Sequence, residues 1–278
     1  ALDTSPARRD PASRPAAAWE RPLARLGSVG AVWIKDLRIL ARDPAQGSQL
    51  LVLIALAAVY LVSTGSIAVD AQRFRDAMGT LNLAFLGFLL IGVGVRTAFP
   101  LVSLEGEGWW LLRTGPIPVQ RLLLAKAASA FPAMLAMGLA IGVGAAWMLD
   151  LSPALAAASR WGGVAAATVA TGLGVGLGAA WPRFDATSPN EIPLSPGGLA
   201  YMGAGLVWAL GQTALLAWPA WQVLRVGGAQ VAVPDAAAVY GTPGGLLAIA
   251  LAVAWTAAFT LLPLAFGAWR LARYEPGD

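Results

Sequence analysis

Six apolar stretches, at about 48–64, 79–100, 122–149, 160–181, 199–223 and 244–268, limit what this chain can fold into. Each is close to the roughly 20 residues a helix needs to cross a bilayer core. The 278 residues are 58% hydrophobic and 12% charged, against roughly 25% charged in soluble domains. The expected fold is therefore an all-α integral membrane protein with six transmembrane helices. The interiors of the six segments carry almost no charge, and Arg96 lies at the end of the second. Ion-coupled carriers place acids or bases at mid-membrane, so this pattern speaks against one.

Charge placement sets an orientation. With the N-terminus inside, 15 of the 19 Lys and Arg residues fall on the cytoplasmic side; Arg73, Arg75, Arg160 and Arg225 fall outside. This is the positive-inside bias, and it puts both termini in the cytoplasm. It also accounts for a pI near 10 without nucleic acid as a partner. Trp147, Trp161, Trp218 and Trp221 mark the outer interface, and Trp181 and Trp269 the inner one.

The first 27 residues are rich in Ala, Pro and Arg and read as a disordered basic arm or linker. Because they begin at Ala1, the chain is expected to be cut from a longer one. Residues 28–278 read as one membrane domain. Within it, 28–43 form an amphipathic helix with Trp33 on the apolar side and Lys35, Arg38 and Arg42 on the other, suited to the headgroup plane. Asp36 falls among the apolar positions of that helix. It is expected either to reach water at the edge or to form a buried ion pair, with Arg96 or Arg113 within reach.

The most informative stretch lies between the second and third segments. Ser103 can cap a short helix from Leu104, and Glu105 and Glu107 fall in its first turn, where acids suit the helix dipole. Trp109, Trp110, Leu111 and Leu112 give an apolar surface too broad for one face. Arg113 follows, and Gly115, Pro116 and Pro118 turn the chain into the next segment. An element held at both ends can transmit movement, so Glu105, Glu107 and Arg113 are read as polar contacts to a partner and the Trp pair as its anchor.

The fourth segment carries Gly172, Gly174, Gly176 and Gly178, two overlapping G-x-x-x-G spacings that let helices approach closely. Packing within one subunit or a dimer seam would both use them. The loop at 182–198 reads as a structured turn. Its Asp185 and Glu191 lack a third metal ligand nearby, so no metal is expected.

Some chemistry is excluded by composition. The chain has no Cys and no His, which removes disulfides, Cys/His metal sites and histidine-based triads. Its two lysines, Lys35 and Lys126, do not lie in a G-x-x-x-x-G-K-[ST] loop. No cofactor is expected.

Three stretches in order, WIKDLRILARDP, FPLVSLEGEGWWLLRTGPIPVQRLLLAK and WPRFDATSPNEIPLSPGGLAYM, span residues 33–202. Together they resemble ABC-2 type exporter permeases, notably one six-span half of the large bacterial ABC exporter permeases; the last two spans match in hydropathy alone. The resemblance implies a type V exporter-like architecture in a bacterial plasma membrane, with 28–43 as the elbow helix. It implies that the chain does no chemistry and that a separate cytosolic ABC ATPase docks at Glu105, Glu107, Trp109, Trp110 and Arg113. A second permease half or a homodimer partner would complete the pathway. The alternative is a membrane enzyme, with polar residues converging in one leaflet, or a non-transporting scaffold, indifferent to nucleotide.

Overall fold

The computed structural model describes residues 72–115, 117–186, 188, 190–226 and 239–274. It also describes 25, 27, 30, 31, 33–35, 38, 55, 58–60, 62 and 63. Among the described residues every regular element is helical. In chain order these are α1 (Gln72–Thr97), two 3-10 turns (Phe99–Leu101 and Ser103–Gly108), α2 (Trp109–Arg113), α3 (Val119–Met148), α4 (Pro153–Ala180), α5 (Pro196–Val226) and α6 (Pro243–Ala272).

Five of these helical stretches are long and apolar enough to cross a membrane. The expected six-span count is thus met by five among the described residues. The first apolar segment lies mostly outside them, although Tyr60 from it packs its ring 3.8 Å from Phe85. The helices outrun their apolar windows because polar or proline-containing turns extend them. Thr242, for example, caps α6 by accepting the Gly245 N–H at 3.0 Å.

The core sits around α4, and small residues put it there. Its most apolar window is 83% buried, against 17% for that of α6. Two residues along a helix turn the side chain by about 200°, so glycines spaced by two serve nearly opposite faces. A Cβ on Gly172 would stand 2.4 Å from Thr260, and one on Gly176 2.4 Å from the Pro263 carbonyl carbon, so this face meets α6. Cβ atoms on Gly174 and Gly178 would stand 2.9 Å from Ala98 and 2.1 Å from the Phe99 oxygen, so the other face meets the end of α1. On α3, Gly138 and Gly142 lie against the Gly163 and Ser159 backbone in the same way. The larger side chains Leu86, Leu90, Phe99, Leu173, Tyr201 and Trp208 fill the space between α1, α4 and α5. Tyr201 Oη donates to the Ala170 oxygen at 3.2 Å.

The remaining apolar surface points outward. Leu246, Leu247, Val253, Leu261 and Leu262 of α6 are exposed, as are Val207 and Leu210 of α5. Without a bilayer this surface would be costly in water. Pro132, Pro219 and Pro263 lie inside helices that continue through them.

Candidate functional site

One end of the bundle gathers the chain's charged and aromatic loops. The turn after α1, the start of α3, the loop after α4 and the end of α6 meet there. At the opposite end, Arg75 of α1 bonds Asp150, beyond α3, at 3.0 Å.

Glu105 is the centre of the gathered end. Its Oε1 accepts from Lys126 Nζ at 2.5 Å and also from Lys35 Nζ. Lys126 is 1% exposed and donates again to the Leu101 oxygen at 2.9 Å. A buried ammonium is tolerable only when paired and hydrogen-bonded, and this one lies in the second turn of α3 with its partners on the α1 turn. Lys35 is 39% exposed and reaches the same carboxylate from the N-terminal segment, where residues 33–35 are helical. One carboxylate thus ties three parts of the chain together.

The turn carrying Glu105 departs from the expected helix. Ser103 does not cap it, because its Oγ accepts the Arg183 N–H at 3.0 Å and so fastens the loop after α4. Gly106 interrupts the turn with φ 51° and ψ −134°, a conformation that favours glycine. The α-helix therefore begins only at Trp109.

Trp109 points inward and is 5% exposed among Val102, Leu122, Val175 and Leu271. It stacks on Phe184 at 5.5 Å with 12° between planes, and Phe184 meets Tyr274 edge-on at 5.3 Å. Trp33 packs against the same cluster. Arg113 is exposed, and its Nη1 donates to the Tyr274 oxygen at 2.6 Å. The polar and aromatic contacts therefore close over the same four segments.

The other expected site residues are placed as follows. Glu107 and Trp110 lie in the turn and in α2, and their side chains are outside the described set. Asp36 lies outside the described residues, while Arg96 is exposed at the end of α1. Gly172, Gly174, Gly176 and Gly178 are buried in α4 at the two close crossings above. Asp185 lies 4.0 Å from Arg183, and no acid cluster fit for a metal occurs among the described residues. Sequence reasoning missed Lys126 and Ser103 as partners in this site. The signal for Lys126 was a lysine set among apolar residues one turn inside a long apolar helix.

The fold and this junction define a helical protein with five membrane-competent spans among its described residues and a charged crossing of its loops at one end. A family model described as "Putative ATP-binding cassette" matches residues 16–275, and the chain belongs to that family. No curated protein and no solved structure matches the chain.

The family corrects three expectations. It is described as an ATP-binding cassette, not as an ABC-2 type permease, so the identification with one half of the large exporter permeases does not hold. The permease function served by a separate ATPase falls with it. So does the assignment of ATP hydrolysis to a partner alone, because the matched family is itself named for ATP binding. The physical reason lies in the motifs. They are short loop sequences joined by hydropathy, and hydropathy does not separate one component of a cassette system from another.

Proposed function

We propose that this chain is a membrane-embedded component of an ATP-binding-cassette transport system in a bacterial plasma membrane. The observation that carries the reading is a cassette-family match over nearly the whole length of a chain whose described residues include five membrane-competent helices. The charge bias puts both termini and the Glu105 end in the cytoplasm. Residues 28–278 act as one unit, with 1–27 as a basic arm or linker.

In this reading the junction is where nucleotide-dependent movement enters the helices. Glu105 and Trp109 are its inner anchors, and Arg113 lies exposed beside them; Glu107 and Trp110 are proposed from the sequence as contacts to a partner. Displacing the α1 turn pulls on α3 through Lys126, on the loop after α4 through Ser103 and Phe184, and on α6 through Tyr274. The Gly172–Gly178 crossings let α4 act as the fixed axis. An ion pair between Asp36 and Arg96 is a further proposal from the sequence, for which a double-mutant cycle showing non-additive losses is the check. The other subunits of the system and the bilayer are the partners. The chain has no P-loop sequence, so any nucleotide it binds itself is held by another arrangement.

The test is ATP turnover by the chain purified from membranes, first with the subunits that co-purify and then stripped of them. Carbonate-resistant membrane association, with turnover that Glu105→Ala lowers several-fold, is expected. Turnover by the stripped chain assigns hydrolysis to it; turnover only with the others assigns it to them. A chain that carbonate extracts, or a complete preparation that turns over no ATP, overturns the proposal.

A further inference from the structure

The last turns of α6 carry an arrangement that the junction does not use. Arg270 holds its guanidinium 5.0 Å from the Trp181 ring centre, and Arg273 holds its own 4.3 Å from the ring of Trp269. Phe266 lies 6.1 Å from Trp269 with 22° between planes and 5.9 Å from Trp181. The local sequence explains the geometry. Residues 262, 266, 269, 270 and 273 share one side of a helix. Gly267 lets α6 close on α4, since a Cβ there would stand 2.1 Å from the Gly176 oxygen. That approach brings Trp181, which follows the end of α4, to Arg270.

Both arginines are exposed, and among the described residues each guanidinium meets a ring and no carboxylate. A guanidinium held over an indole face leaves N–H groups of its planar fork free for an anion, and that fork matches phosphate. Two such groups one turn apart offer two forks on one side. Directly before them along α6, Leu262 and Phe266 are exposed. A ligand fitting both features carries a phosphate joined to long apolar chains.

We infer that Arg270 and Arg273, braced by Trp181 and Trp269, bind the phosphate of an anionic phospholipid, with its acyl chains along Leu262 and Phe266. Charge complementarity and the continuous apolar strip select a lipid over a free anion. The inference rests on α6 crossing the bilayer. Anionic leaflets attract interfacial arginine in just this sense.

The experiment is lipid retention by native mass spectrometry. The chain is purified from nanodiscs of equal phosphatidylcholine and phosphatidylglycerol. Wild type is expected to retain phosphatidylglycerol preferentially. Arg270→Gln with Arg273→Gln should lower that preference roughly fivefold per arginine, the ratio that about 1 kcal/mol gives. Trp269→Leu keeps both charges and should still weaken retention, and Arg121→Gln, at an exposed site outside the arrangement, should leave it unchanged. Equal retention by the double variant, or an equal loss with Arg121→Gln, overturns the inference. So does full displacement by inorganic phosphate, which would make the ligand a free anion. Failure of the wild type to enter nanodiscs refutes the membrane reading itself, whereas entry without lipid preference refutes the lipid site alone.

Discussion

Glu105 and Lys126 are 21 positions apart in sequence and 2.5 Å apart in space, with the ammonium almost wholly buried. Removing one partner of such a pair costs about 3–5 kcal/mol, while replacing both with apolar groups costs far less. Glu105→Ala and Lys126→Ala are therefore each expected to lower the unfolding midpoint in detergent strongly. Glu105→Leu combined with Lys126→Met should lose less than either single change. Additive losses would refute the pairing.

The two faces of α4 make a sharper prediction. Gly178→Ala places a methyl 2.1 Å from the Phe99 oxygen, while Gly92→Ala meets nothing within 4 Å. The first change should destabilise by about 1–3 kcal/mol, the usual range for overpacking. The second should stabilise slightly or do nothing. Thermal unfolding of the two proteins, measured side by side, checks this contrast. Equal midpoints would remove the close crossing.

Gly106 tests backbone geometry without packing. An added Cβ would lie 4.0 Å from the Phe184 oxygen, so there is room for it. Its φ of 51° with ψ −134° is still unfavourable for alanine. Gly106→Ala is expected to cost about 1–3 kcal/mol and to loosen the Glu105 contacts. Wild-type stability and unchanged exchange at the neighbouring amides would show that the turn relaxes freely.

Orientation is open to direct chemistry because the chain has no cysteine. Asp150 and Asp185 have side chains 81% and 82% exposed at opposite ends of the bundle. Asp185→Cys should react with an impermeant thiol reagent only when the cytoplasmic side is open, and Asp150→Cys only from outside. Labelling of both from one side would overturn the topology.

Much of the fold was legible because apolar length is a strong signal and proline and glycine mark its ends. The α4 glycines stood out as overlapping G-x-x-x-G spacings, but spacing could not say whether they meet helices of the same chain or a second copy, nor that alternate glycines face α6 and the turn after α1. The junction was only half legible. Glu105 and Trp109 stood out, but they read as groups offered to a partner, whereas burial turns both inward onto Lys126 and Phe184. Hydropathy could not show this, because it scores Lys126 as a charge near a membrane edge and does not register its partner 21 residues back. Ser103 read as a cap because the pattern was local. The Gly106 break and the distant Arg183 N–H decided otherwise. The component's place within a cassette system was not legible, because spans of this kind carry little besides hydrophobicity.

Nucleotide-driven movement is predicted to reach the helices through the Glu105 junction. The most direct measurement is hydrogen exchange across Leu101–Lys126 in membranes containing the complete system, with and without Mg-ATP. ATP is predicted to change amide protection there and around Arg183 in wild type, and Glu105→Ala is predicted to uncouple the two segments. Protection that ATP leaves unchanged in both segments, with ATP bound, would show that the movement does not pass through this junction.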